Sequence, residues 1–352
     1  MANSNANPNP FSQPLTTPLA PSDALTFLQS LLALPKQPTN LEIYRRYCTQ
    51  QVDLIANHTP GTTLTTYQSL LDTASLLRQS HSRSDLLAQL AKPPTNNPTQ
   101  QPATHHGPGS TQEENTLHLT ARLLTMLRIG EIPHEILGGR HLSWTGPDSL
   151  ADFVHSYFQP TPILGHELIR FEKTFNALNL VRIANLSIQW TDNLADHLRL
   201  VNDDKTLRIF HHAGFLLSQE QNSPLFPDGF VCETLQTLAL LFPKYDNPVR
   251  AWYRTQALKH GLDYEAVEAG HLVTDDRQAE KFMYWRDRLV VLKQAYDEAR
   301  PLTIGQWWHD RRNGVQWYTF WVALWVLFLT ILFGLVQSIE GAMQVYAAFH
   351  PG

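Results

Sequence analysis

A chain of 352 residues, 43% hydrophobic and 17% charged, is long enough to bury one or two sizeable cores. A net charge of -5 leaves no electrostatic footprint for nucleic acid, so a nucleic-acid partner is not expected. Two cysteines, Cys48 and Cys232, are too few for a disulfide framework or a thiolate zinc site and fit a reducing compartment.

In chain order, residues 1–21 are rich in Asn, Pro, Ser and Thr, with neither the basic nor the apolar region of a signal peptide, and are expected to be disordered. Ser22 is placed to cap a helix over Asp23–Leu34 that carries Leu25, Leu28, Leu31 and Leu32 at helical spacing and stops at Pro35. Leu41–Ala56, Thr63–Gln79 and Ser84–Ala91 read as further helices, so that 22–91 forms a small helical bundle. Residues 92–115, nearly devoid of apolar side chains and rich in Pro, Thr, Gln and Asn, read as a disordered linker in which His105 and His106 are solvated.

A main helical domain with a small β unit is expected over 116–300. Thr116–Ile129, Asp148–Phe158 and His166–Leu180 have helical periodicity, the last opening after Gly165, and Gly138-Gly139 between them is a turn signal. Leu186–Trp190 and Thr206–Phe210 are β-like runs, separated by a helix over Asp192–Leu200 and the turn Asn202–Lys205. A helix of that length is short for a parallel crossover, which predicts a small ribbon. Helices are expected at Cys232–Phe242, Val249–Lys259 and Asp263–Ala269. The longest helix outside the C-terminal region is expected at Asp275–Arg300, where Phe282, Trp285, Leu289, Leu292 and Tyr296 form a seam. That seam suits packing within the chain, with self-association as the alternative.

Residues 301–316 form a juxtamembrane segment in which Trp307 and Trp308 are expected at the interface beside Arg311 and Arg312. Trp317–Ile339, WYTFWVALWVLFLTILFGLVQSI, carries no charge and has no polar face, and its length matches a bilayer core of about 30 Å. It reads as a transmembrane helix with Trp317, Tyr318 and Trp321 at headgroup level. Arg311 and Arg312 precede the span whereas 340–352 holds no Lys or Arg, which predicts a cytosolic N-terminal part and a short lumenal tail. The expected topology is that of a tail-anchored protein, of the endoplasmic reticulum or later secretory membranes. The sequons at Asn57 and Asn185 would matter only in the reverse topology. Gly334, Ser338 and Ala342, spaced by four, line one helix face on which a second copy could pack.

The residues able to carry chemistry crowd into the β unit. Asp192, Asp196, His197, His211 and His212 have the composition of an acid/base or metal site. Asp192 and Asp196 would share a helix face. Their spacing matches no zinc pattern, since His166-Glu167 lacks a second His, and there is no G-x-S-x-G, Walker or dinucleotide motif. The structural alternative has Asp192 as a cap, Asp196 paired with Arg199, and the histidines completing polar edges; on that reading no metal and no cofactor is expected.

The strings IQWTDNLADHLRLVNDDKTLRIFHHAGFL, Ile188 to Leu216, and QWWHDRRNGVQWYTFW within Arg286 to Tyr346 resemble a large group of uncharacterised proteins of filamentous ascomycete fungi. The resemblance covers roughly the last half of the chain and implies a helical domain with one membrane span near the C-terminus. It supplies no activity and no catalytic residues. Sequence reasoning therefore favours a membrane-held helical domain that binds a second copy or an unidentified protein. The alternative is a tethered enzyme of hydrolase type built on the Asp/His residues.

Overall fold

The computed structural model describes residues 9–34, 40–58, 66–91, 111–131, 140–160, 168–220, 223–299 and 314–349. His105, His106, Gly138, Gly139, Gly165, Trp307, Trp308, Arg311 and Arg312 lie outside the described residues. Among the described residues the fold is mainly α, with one small three-stranded sheet and one C-terminal apolar helix.

Four helices open the chain: α1 (Pro21–Leu32), α2 (Glu42–His58), α3 (Tyr67–Arg78) and α4 (Arg83–Leu90). Ser22 is not the cap of α1. The helix starts at Pro21, two residues before the expected Asp23, because Pro21 has its φ already set for the first helical position, and Ala20 precedes it with no side-chain cap. α1 buries Phe27, Leu28, Leu31 and Leu32 while Leu25 stays exposed, and it stops where Ala33 turns left-handed at φ 53°. α3 opens on a capping box between Thr66 and Ser69.

Helix α5 (Thr111–Thr125) starts before the expected Thr116, so residues 111–115 are helical rather than linker. Glu113 and Glu114 favour a start there by lying at the positive end of the helix, and Glu114 is held by Arg83 at 2.7 Å. Its other end stops at Thr125, short of the expected Ile129, because Met126 turns left-handed at φ 52°. The hydroxyls of Tyr44 and Tyr47 donate to the carbonyls of Leu123 and Arg122 at 2.6 and 3.4 Å, the first an acceptor that the helix end leaves open, the second shared with Met126 N. α5 packs against α2, α3 and α4. One cluster of buried apolar side chains runs from Leu15 to Tyr296, so residues on the two sides of 92–110 share a core.

Helix α6 (Leu150–Tyr157) is capped by Ser149. The helix expected over His166–Leu180 is replaced in its described part by an extended stretch and a short helix α7 (Ala177–Arg182). Backbone pairing explains this: Phe171 donates to the carbonyl of Arg277 at 2.8 Å and Ala279 donates to that of Ile169 at 2.9 Å. Asn176 then caps α7 through Asn179 N.

Strands β1 (Ser187–Thr191), β2 (Leu200–Val201) and β3 (Thr206–Phe210) form a sheet of order β1-β3-β2. β1 and β3 are parallel, from Ser187 opposite Thr206 to Thr191 opposite Phe210, and β2 is antiparallel to β3. No crossover helix is needed for the parallel pair. The chain leaves the top of β1, returns as β2 one place beyond, and turns back through the middle as β3. The return turn uses Asn202, Asp203 and Asp204 at φ 56°, 53° and 58°, which short polar side chains tolerate. The helix expected over Asp192–Leu200 is therefore absent. A 3-10 turn, Leu194–Asp196, stands in its place, with the Asn193 side chain accepting from Ala195 N.

The remaining helices are α8 (Ala213–Gln219), α9 (Phe230–Leu241), α10 (Asn247–His260), α11 (Arg286–Glu298) and α12 (Gly314–Phe349). Asp263–Ala269 contains a 3-10 turn, Tyr264–Val267, where a helix was expected. α11 starts at Arg286, so Phe282 lies before the helix, and α2 is longer than α11. Phe282, Trp285, Leu289, Leu292 and Tyr296 are nonetheless all buried. Phe282 meets Phe171 edge-on at 5.9 Å, and Tyr296 meets Phe175 at 5.6 Å. The seam packs inside the chain and is not available to a second copy.

Helix α12 behaves differently from every other apolar segment. Its stretch Trp317–Tyr346 is long and apolar enough to cross a membrane, and apart from the half-buried Trp317, Phe320 and Trp321 its side chains are exposed. The helix does not stop at Ile339 but runs through Glu340 to Phe349. Thirty residues give about 45 Å, the span of a bilayer with its headgroups, so the turns after Ile339 have room to emerge into the polar zone. Trp317 lies 5.1 Å from Tyr318 and 6.1 Å from Trp321, grouping the amphipathic rings at one end. The hydroxyl of Ser338 donates to the carbonyl of Gly334 at 2.8 Å and is satisfied within the helix.

Candidate functional site

The parallel register decides which candidate residues meet. Thr191 is opposite Phe210, so the next residues, Asp192 and His211, leave the same end of the sheet side by side, with His212 following. The expected ribbon would not have fixed this end-to-end match. His212 Nε2 lies 2.6 Å from Asp192 Oδ1, and His211 Nε2 lies 3.4 Å from the same oxygen. The two imidazoles stack with centroids 4.2 Å apart. His211 and His212 are buried, while the Asp192 side chain is 42% exposed and forms the face toward solvent.

A network behind the histidines fixes their protons. The backbone N–H of Asp263 donates to His211 Nδ1 at 3.3 Å, so the His211 proton sits on Nε2 and points at Asp192. Asp263 is held in turn: its carboxylate accepts from Gly214 N at 2.7 Å and Glu265 N at 3.1 Å, and its carbonyl accepts from the Tyr253 hydroxyl at 2.6 Å. Gly214 permits this approach, since a Cβ there would lie 3.1 Å from Asp263 Oδ2 and 2.7 Å from the carbonyl oxygen of Asn40. Burial raises the Asp263 carboxyl above its usual range against these hydrogen bonds.

Burial would also raise Asp192, but the hydrogen bonds from His211 and His212 prevail and hold it well below the ordinary carboxylate range. Burial and the neighbouring His211 lower His212 to about 4 despite its bond to Asp192. At neutral pH the cluster is thus a carboxylate with a neutral His212. His212 Nδ1 is buried with no hydrogen-bond partner, and the imidazole lies beside the rings of Phe210 and Tyr47 at 5.4 and 5.9 Å between centroids.

The other two candidates turn away. Asp196 is an interior ion-pair centre: Arg199 lies 2.6 Å away, Arg208 3.3 Å, and Arg140 N and the Asn193 amide also donate to it. The pairing of Asp196 with Arg199 is the one expected from sequence. Burial opposes ionisation of Asp196, and the bond to Arg199 leads the effects that lower its pKa. His197 is wholly buried; it accepts from Phe210 N at Nδ1 and therefore donates from Nε2 to Thr237 Oγ1 at 2.7 Å. Burial and the Arg288 charge lower it to about 3. Asp192 and Asp196 do not share a helix face, and Asp192 caps no helix.

Asp192, His211 and His212 have ligand atoms within 4.8 Å of one another, the spacing of a divalent-cation site. His211 and His212 both present an N–H toward Asp192 in these tautomers, leaving Asp192 as the one group with a free lone pair at that point. None of the five candidates lines the cleft of about 630 Å³ or the smaller cavities of about 420 and 390 Å³. The arrangement ties the sheet's end to Asp263 and, through Tyr253, to α10.

Glu233 is a further residue of consequence, missed by the sequence reading. It is buried on α9, and its carboxylate accepts from Met283 N, Tyr284 N and Trp285 N, each at 2.8 Å. Trp285 cannot cap α11 itself, so Glu233 caps it from another helix. The signal is a lone acid within the apolar run CETLQTLALLF. No protein-family profile, curated protein or solved structure matches this chain.

Proposed function

We propose that this is a single-pass membrane protein in which Trp317–Tyr346 holds a folded helical domain at the cytosolic face, where that domain binds another protein. One observation carries the reading: the longest apolar helix is left bare, whereas the apolar helix Phe230–Leu241 and the 282–296 seam are buried. Leaving such a helix in water would expose far more contiguous apolar surface than soluble proteins carry. The basic pair Arg311 and Arg312 ahead of the span supports the cytosolic orientation. Self-association, where it occurs, falls to the span, because the seam is occupied.

Orientation is tested in sealed microsomes. Protease added outside is expected to digest the domain, and Asn185 is expected to carry no glycan. Asn185 is an exposed loop residue ahead of β1, open to modification in a lumenal domain, so a glycan on it would overturn the orientation. The hydrolase alternative keeps Asp192, His211 and His212, brought together at one point, and loses Asp196 and His197 to structural roles. We also propose kinship with the ascomycete fungal group on the strings WTDNLADHL and QWWHDRRNGVQWYTFW.

A further inference from the structure

A cleft of about 630 Å³ opens between the stretch ahead of α7, the end of α9, the start of α10 and the 271–277 segment. Its size is that of a small-molecule site. Phe175, Leu240 and Leu272 are buried and give it apolar wall. Lys173, Tyr245 and His271 stand exposed along it, with Tyr245 and His271 edge-on at 5.1 Å.

Arg277 is the unusual group in this wall. It is 9% exposed, its buried Nε has no hydrogen-bond partner, and Nη2 reaches only Thr274 Oγ1 at 3.5 Å. Among the described residues no carboxylate lies within 4.0 Å of it. The two acids of the cleft are committed elsewhere: Glu172 pairs with Lys293 at 3.3 Å, and Asp246 caps α10 through Val249 N at 3.1 Å. Two other buried cations lie against acids, Arg208 with Asp196 and Lys293 with Glu172 and Asp297. A guanidinium taken out of water without a counter-charge is costly, so a native chain that retains one ordinarily supplies an anion. Its planar fork suits a carboxylate or a phosphate.

We propose that this cleft binds a small organic oxyanion, a carboxylate or phosphate monoester on an apolar body. Arg277 pairs with the oxyanion, Lys173 adds charge at the mouth, and the Phe175, Leu240 and Leu272 wall takes the apolar part. The site is separate from the Asp192 cluster and independent of the membrane anchor.

The test is thermal unfolding of the full chain in uncharged detergent with benzoate or phenyl phosphate as probe, against sodium chloride at equal ionic strength and neutral benzyl alcohol. At least one probe is expected to raise the unfolding midpoint saturably, the controls not, and the effective probe identifies the oxyanion as carboxylate or phosphate. Arg277→Met is expected to fold at least as stably as the parent without probe, because it removes an unmatched buried charge, and to bind roughly tenfold or more weakly. Lys173→Ala, at an exposed position, is expected to weaken binding about threefold. Absence of a saturable shift with both probes overturns the proposal, as does an equal shift in Arg277→Met. An Arg277→Met chain that fails to fold also overturns it, since the cation would then be structural.

Discussion

Glu233→Ala is expected to destabilise the folded domain by about 3–5 kcal/mol, read as a lower urea midpoint with an unchanged slope. Three backbone N–H groups of Met283, Tyr284 and Trp285 lose their acceptor at once, and that of Trp285 is buried where water cannot replace it. These groups lead into α11, so the carboxylate also sits at the positive end of that helix. Burial raises the Glu233 pKa and the three N–H bonds oppose it. Glu233→Gln keeps an oxygen able to accept the Tyr284 and Trp285 bonds and is expected to cost about half as much. Equal stability of Glu233→Ala and the parent would show that α11 needs no cap.

Acid is expected to unfold the domain between about pH 6 and pH 4, through histidines that fold uncharged. Burial leads the lowering in each: His118 and His212 to about 4, His197 to about 3. A base whose pKa is lowered on folding contributes stability that is complete above its unfolded value near 6.5 and is lost as the pH falls toward the folded value. In that window the unfolded chain holds up to three more protons on these residues than the folded one. Stability should then fall by roughly 3–4 kcal/mol per pH unit at its steepest. The depressed carboxyls of Asp192 and Asp196 extend the loss to lower pH, while the raised Glu233 and Asp263 oppose it. His197→Asn is expected to lower stability at pH 7 yet flatten the pH slope by about one proton. Urea midpoints constant from pH 7 to pH 4.5 would contradict the buried neutral histidines.

Features that depend on local chemistry were legible in the sequence. The uninterrupted apolar run from Trp317, the β runs expected at 186–190 and 206–210 and found within one residue of those bounds, and the turn at Asn202–Lys205 all follow from residue type and spacing. Failures came where a distant partner outweighed local propensity. Asp192–Leu200 has a helical pattern, but Asp196 is drawn to Arg199 and Arg208 and Asn193 closes a tighter turn, so the segment folds back as β2. His166–Leu180 looked helical until pairing with 277–279 claimed part of its backbone. The site was half visible. All five Asp and His residues could be named, but only parallel pairing of β1 and β3 selects Asp192, His211 and His212 as the group that converges. Glu233 shows in the sequence only as a lone acid in an apolar run and Arg277 not at all, because their meaning lies in what surrounds them: three amides for one, no carboxylate for the other.

Membrane attachment through α12 is tested most directly by fractionating the full chain beside a chain ending at Arg300. The full chain is expected in the membrane pellet and to remain there through alkaline carbonate. The shortened chain is expected in the soluble fraction with its helical circular dichroism and urea midpoint retained, because among the described residues Tyr296 is the last member of the buried core. A shortened chain that still pellets as a folded membrane-bound species, or a full chain released by carbonate, would show that Trp317–Tyr346 is not the anchor.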